Sequence, residues 1–537
     1  MLALGFSSGL PFALLIGTLN AWLGEVGIKL ATIGVLSWIG LATAFKFLWS
    51  PLVDRVQLPL LARLGRRKSW IVLCQALIVF ALLGLVATDP TVEIGRFAAF
   101  AFLGAVAFAT QDIAIDGWRI DVADEDTPVE LLSAVNQLGF RVASIVGGAI
   151  ALYMASRMSW PAVYLVMAGV MALMLILALA APDTQRPPDV AVSALSAPGE
   201  VRPGLRAIAL LIVGASWIWA IGTLVTFMIS MLAETAPGVP KPSPADFLKF
   251  YGPAIIVATV LVPLAVAGWV NWLKARRTGV QTAADLHRSA ARTAANHLYG
   301  ALIAPLADLT QRLGWGVLVV FGLILTYALC YNVWASFAYP FYLDFLHYTK
   351  DEVAFASKLF GIIMTIFGTA LGGFLFVKLG RFPTVLIGAI LPIFGNFLYA
   401  DLADGAPYID LVLGTLRLDH LAVLLGSDER MARLLLTICY ENISTGLALA
   451  AFVAYLSSIV SKQFAAVQYA VLSSLTFLIG SLGRGVAGEM FDTLGYATVF
   501  RYVAAVGLLA IVFVLLEWWR ASRVASRAEA GGTGKAA

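Results

Sequence analysis

A chain of 537 residues, 60% of them hydrophobic and 13% charged, with a mean hydropathy of +0.88, is excluded from the soluble globular class. Its net charge of +4 is small and its basic residues gather in short polar stretches, which argues for membrane topology and against nucleic-acid binding. Cys74, Cys330 and Cys439 each stand alone in apolar runs, so neither a disulfide framework nor a metal cluster is expected.

Runs of about 20 mainly apolar residues, the length that crosses a bilayer, recur about fourteen times. Met1 opens almost directly into the first of them, which is expected to remain as a span and not to be removed as a signal. The predicted spans 1–23, 31–50, 70–88, 97–117, 131–155 and 160–181 form a first group of six. An extra pair follows at 207–232 and 251–273, and a second group of six at 315–345, 353–377, 383–400, 433–459, 464–488 and 497–519. The chain thus reads as an all-α membrane protein: six-helix bundles at 1–181 and 314–520, linkers at 182–206 and 274–313, a helix pair inserted at 207–273, and a tail at 521–537. Ala283 to Arg312 carries Leu298, Leu302, Leu306 and Leu309 at helical spacing beside arginines, the pattern of a helix lying on the membrane surface. Asp410 to Leu425 alternates similarly on the other face. Lys and Arg concentrate in alternating loops, from Arg63, Arg66, Arg67 and Lys68 through Lys274 and Arg276 to Lys378 and Arg381, so those loops and both termini are expected in the cytoplasm.

The loop after the second span reads Ser50-Pro51-Leu52-Val53-Asp54-Arg55, then Gly65-Arg66-Arg67-Lys68. At the same place in the later six stands Gly372-Gly373, then Lys378-Leu379-Gly380-Arg381, which suggests an internal duplication. The first copy resembles the loop signature of the major facilitator superfamily. That resemblance implies a gating role for Asp54 and Arg55 at the cytoplasmic end. Arg66 either joins that gate or only fixes topology, and Asp116 sits near enough to the same surface to belong with it.

Leu4 to Pro11, Phe45-Lys46-Phe47-Leu48-Trp49-Ser50-Pro51, Gln111-Asp112-Ile113 with Asp116, Leu138-Gly139-Phe140-Arg141 and Glu441-Asn442 together resemble the AmpG-type muropeptide permeases. Phe45 to Pro51, Gly65 to Trp70 and Gln111 to Trp118 also resemble acetyl-CoA transporters, whereas Glu441 through Phe452 to Gln468-Tyr469-Ala470 is closer to the permeases. The permease resemblance implies import of N-acetylglucosaminyl-1,6-anhydro-N-acetylmuramic acid and its peptides across the inner membrane of a Gram-negative bacterium. It also implies a monomer that uses no cofactor and draws on the proton gradient, with membrane lipid its surroundings. An acetyl-CoA or other organic-anion carrier of the same superfamily is the alternative, and a membrane-embedded transferase a third reading.

Such a solute requires hydrogen-bond donors, aromatic platforms and a cation near mid-membrane. Arg141, close on its helix to Gln137 and Ser144, either faces the cavity or ties spans together through Asp112 or Asp116. Tyr327, Tyr331, Asn332 and Trp334 could form a sugar-stacking wall or simply pack, and Asn442 stands beside Glu441. Glu441 and Asp112 are the proton-coupling candidates, because a carboxylate in low dielectric can exchange a proton near neutral pH. One proton falling through 100 mV supplies about 2.3 kcal/mol, enough for more than tenfold accumulation of a neutral solute. Lys46 is expected to snorkel outward, with a binding role the alternative. His287, His297, His347 and His420 are isolated and no Ser-His-Asp or metal-ligand spacing occurs, which counts against an enzyme.

Overall fold

The computed structural model describes residues 1–49, 53, 58–122, 129–181, 201–233, 241–276, 298–300, 302–417, 428–461, 465–476 and 478–532. Thirteen helices among them are long and apolar enough to cross a bilayer, and a shorter apolar helix, Leu30–Thr43, makes the fourteenth expected from the hydropathy. In chain order they are α1 (Leu2–Glu25), α2 (Leu30–Thr43), α3 (Arg66–Val86), α4 (Ile94–Arg119), α5 (Leu138–Ala155, continuous with a polar start at Val129), α6 (Trp160–Leu179), α7 (Pro203–Leu232) and α8 (Pro244–Ala275). After the amphipathic α9 (Ala304–Leu313) come α10 (Gly316–Phe337), α11 (Lys350–Leu379), α12 (Arg381–Ala403), the short α13 (Pro407–Thr415), α14 (Glu429–Ile459), α15 (Val471–Leu494) and α16 (Tyr496–Val524).

The residues cluster into two compact units. One comprises Met1–Gln311, Ser336–Ala354 and Arg484–Glu489; the other comprises Arg312–Ala335, Phe355–Gly483 and Met490–Ala537. Water is absent from a bilayer core, so helices there are held by close packing and polar contacts more than by hydrophobic burial, and small residues let backbones approach. In the first unit Gly5 and Gly9 face the backbone of Asn136 and Phe140, so that a side chain at either would overlap α5. In the second unit Gly368 and Gly372 of α11 meet Ile443 and Leu447 of α14 in the same manner. The suspected duplication has a backbone counterpart as well. Gly65 (φ 82°, ψ 167°) opens α3 and Gly380 (φ 84°, ψ 178°) opens α12, a conformation that excludes a Cβ at the head of each basic turn.

Among the described residues α1, α5, α8 and α11 carry π-helical segments, and α2 and α10 are interrupted by 3-10 turns. α2 passes through a 3-10 turn at Ser37–Gly40, and a further one at Lys46–Leu48 follows it. α10 breaks near Ala328 (φ −94°, ψ 4°) and passes through a 3-10 turn at Ala335–Phe337, after which a π-helical segment, Pro340–Phe345, follows out to the 345 anticipated from hydropathy. Such breaks free backbone groups inside a membrane protein and commonly mark a working region.

The inserted pair α7 and α8 belongs to the first unit. Phe227 and Phe247 stack at 4.1 Å and both rest on Trp38 of α2. The start of α8 is capped twice: Ser243 accepts from the Asp246 amide, and Glu489 accepts from Ser243 Oγ at 2.8 Å and from the Ala245 amide at 2.9 Å. The apolar stripe anticipated for a membrane-surface helix is covered by protein in its later half, while Leu298 at its start stays exposed. Leu306 and Leu309 of α9 are buried, and Asn271 of α8 donates to the Ala307 carbonyl at 2.6 Å and to Thr310 Oγ1 at 2.8 Å.

Candidate functional site

In the first unit the run Gln111-Asp112 is anchored by its buried member. Gln111 Nε2 donates to Ser7 Oγ of α1 at 3.1 Å, which turns Asp112 toward the end of α2. There Lys46 Nζ donates to Asp112 Oδ2, and the two side chains remain 24% and 28% exposed. Beside them Trp49 Nε1 donates to Thr110 Oγ1 at 3.1 Å, a second tie between the same elements. Lys46 therefore does not snorkel away; an intramembrane carboxylate draws it inward.

Asp116 pairs one turn on with Arg119 at 3.0 Å, so Arg141 is partner to neither carboxylate in the way considered from sequence. Arg141 is exposed on its helix. At 100° per residue it shares a stripe with Gln137, Ser144 and Gly148, while Leu138 and Val142 fall on an apolar one. The Gln137 side chain lies outside the described residues, as do Asp54 and Arg55 altogether. Arg66 approaches Asp121 at 3.9 Å, and Arg67, with its guanidinium over Gly117, donates to the same carboxylate at 3.1 Å. Asp121 was not singled out from sequence; its signal was a third carboxylate following Asp112 and Asp116 beyond the apolar run.

At the other end of α1 a second charged group closes the first unit. Glu25 accepts from Lys350 Nζ at 3.0 Å and from Trp160 Nε1 at 2.6 Å, while Arg157 pairs with Asp351 at 3.0 Å. A cavity of about 380 Å3 lined by Glu25, Ser156, Asp344, Tyr348 and Lys350 lies among them.

The second unit holds Glu441. Its Oε2 accepts from Asn442 Nδ2 at 2.7 Å and its Oε1 accepts a long bond from Thr445 Oγ1 at 3.4 Å. Asn442 is itself fixed, donating to the Ile438 carbonyl at 2.9 Å and accepting from Thr365 Oγ1 of α11 at 2.8 Å. Lys358, earlier on α11, acts on Glu441 through space. A cavity of about 10 Å3 lies against Glu441, lined also by Tyr331, Trp334, Asn396, Tyr399 and Thr445.

The aromatic wall expected on α10 is divided by packing. Tyr327 is 2% exposed, stacks on Phe452 at 4.4 Å and donates to the Val385 carbonyl at 3.1 Å, so it belongs to the core and presents no ring face to a ligand. Trp334 donates to the Cys330 carbonyl and packs edge-on to Phe500; only its edge toward the small cavity is shared with Tyr331. Asn332 is buried where its Cβ meets Gly480 of α15. Among the described residues no group of three or more His, Cys, Asp or Glu side chains is placed to hold a metal ion.

These features, bilayer-length helices with charged groups set inside them and a repeated basic turn, are those of a carrier. The profile of the Major Facilitator Superfamily matches residues 1–284, more than half of the chain. The chain belongs to the Major Facilitator Superfamily. This transporter is 25% identical to the putative transporter AmpG 4 of Rickettsia felis over 96% of its own length and 94% of that protein. It is 27% identical to the anhydromuropeptide permease of Escherichia coli strain K12, over 96% of its length and 78% of the permease. Among solved structures, a POT family transporter in complex with 5-aminolevulinic acid superposes with a TM-score of 0.60 at 12% identity, covering 96% of this chain and 94% of that one. A point mutant of the nucleoside transporter NupG gives 0.56 at 12% identity, covering 96% and 98%. At such identities these structures speak for the fold alone. The relatives and the fold make it a transporter and not an enzyme.

Proposed function

We propose that this transporter imports anhydromuropeptides, the disaccharide N-acetylglucosaminyl-1,6-anhydro-N-acetylmuramic acid and its peptide forms, from periplasm to cytoplasm by alternating access driven by protons. The solute class follows from the relatives that match nearly the whole chain. With its basic loops in the cytoplasm, the protein is a multi-pass monomer of the inner membrane with both termini inside.

The observation that carries the coupling is the setting of Glu441, an acid on a bilayer-length helix whose hydrogen bonds come from the neutral side chains of Asn442 and Thr445. Asp112, the other candidate, is engaged by an ammonium. Glu441 is accordingly the proton carrier, Arg141 the exposed cation of α5 that attracts the anionic solute, and Tyr331 the ring available near Glu441. Arg66, Arg67, Asp116 and Asp121 close the cytoplasmic end.

Uptake of labelled anhydromuropeptide into right-side-out membrane vesicles, with and without a proton gradient, is the direct test. The expected result is accumulation that disappears when the gradient is collapsed. Uptake indifferent to the gradient would remove proton coupling, and transport of acetyl-CoA in place of the muropeptide would move the solute to the organic-anion reading.

A further inference from the structure

The Lys46–Asp112 pair is more than a tie between α2 and α4. Its immediate neighbours on α4 are sealed, Gln111 at 0% and Ile113 at 9% exposure, whereas both members of the pair keep about a quarter of their side-chain surface open. An ion pair built only to hold helices together would be expected to be closed off like the residues that flank it. The Lys46 ammonium has three donors and makes one hydrogen bond among the described residues, so two donor positions remain. Its backbone does not depend on that bond. Lys46 sits in a 3-10 turn between Phe45 (φ −101°) and Trp49 (φ −107°), and the adjoining Trp49 is fastened to Thr110 independently. The ammonium can therefore change partners without loosening the helix ends. Among the described residues a further carboxylate close by, Asp116, is already matched by Arg119.

An ammonium in this setting needs an anion at all times, because an unpaired charge in low dielectric is costly, but exchange of one carboxylate for another keeps the charge balance. From this geometry we infer that Lys46 is a specificity-determining residue that docks a carboxylate of the transported solute, and that Asp112 is the internal stand-in that occupies the ammonium when no solute is bound. The solute class rests on the proposed function above; the exchange itself rests on the pair. Asp112 then opposes solute binding, the reverse of what a structural partner does.

That difference in sign is testable by equilibrium binding to the purified transporter in nanodiscs, using an anhydromuropeptide with free peptide carboxylates and the same compound with those carboxylates converted to amides. Lys46→Met is expected to weaken binding of the free acid by roughly tenfold or more, the worth of a charge-assisted hydrogen bond, and to leave the amide within about twofold. Asp112→Asn is expected to tighten the free acid by about threefold or more, through loss of the competing anion. Lys46→Arg, which keeps the charge, and the neutral double variant Lys46→Met/Asp112→Asn, which leaves no orphaned charge, guard against a folding defect. The double variant is expected to bind acid and amide alike. If Asp112→Asn weakens the free acid as Lys46→Met does, or if Lys46→Met weakens acid and amide equally, the pair is structural and the inference fails. If the unaltered protein binds neither compound, the solute assignment falls instead.

Discussion

Asp112 and Glu441 each stand on a helix long enough to cross a bilayer, one in each unit, and their surroundings differ in kind. Asp112 faces an ammonium in a partly open setting. Glu441 is held by an asparagine and a threonine, and that asparagine is pinned in turn by a neighbouring helix. The first arrangement fixes a charge by balancing it in direct contact; the second positions a carboxyl group through neutral donors. Under the proposed function, two tasks that a lone intramembrane acid would have to combine, recognition of an anion and carriage of a proton, fall to separate acids.

The sharpest way to break this contrast is to neutralise each acid and follow uphill transport. Glu441→Gln should reduce accumulation in energised vesicles from more than tenfold to simple equilibration while solute counterflow persists, and Asp112→Asn should retain accumulation. The reverse pattern would exchange the two roles. Stability supplies the next largest effect. Lys46→Met orphans a partly buried carboxylate and should cost about 1–3 kcal/mol, which the added Asp112→Asn should largely restore, as read by thermal unfolding in detergent. Glu441→Gln should move the same transition less, because its hydrogen-bond partners are neutral and Lys358 reaches it only through space.

A smaller effect separates positioning from coupling in the second unit. Thr365→Val removes the bond that fixes Asn442 and should cost about 1 kcal/mol. It should also shift the pH profile of uptake while leaving solute affinity nearly unchanged. A shift in affinity alone would place Asn442 at the solute. The smallest effect is expected at the exposed Arg157–Asp351 pair, about half open on both sides, where Arg157→Gln should leave the midpoint of the same unfolding assay nearly unmoved.

Hydropathy and length made the spans legible, since apolar runs of bilayer length have few other uses. The one that came out short, α2, is interrupted by 3-10 turns that composition does not announce. The acids were legible for a similar reason: Asp112 and Glu441 are anomalies in apolar surroundings. Their partners were not. Lys46 lies 66 residues from Asp112, and a lysine near a span end reads as a snorkelling anchor until the packing of two helices is known. Lys358, which acts on Glu441, stands near the start of its span and carried the same ambiguity. For Tyr327 and Trp334 the residue type was informative and the facing was not, because a broken α10 does not preserve the 100° step from which a face is read. A gating role for Asp54 and Arg55 was implied only by resemblance to a family loop, and both lie outside the described residues.

The double cap on α8 also bears on how the molecule is made. Glu489 follows Ser243 by 246 residues, so a ribosome working at about 5–20 residues per second delivers it roughly ten to fifty seconds after the helix it caps. Throughout that interval the amide of Ala245 lacks its carboxylate, and the rings of Phe227 and Phe247 against Trp38, all synthesised by then, are what can hold the pair in place. Assembly of this region is consequently biphasic, an early apolar docking and a late polar fastening. A chain truncated before α15 retains only the first.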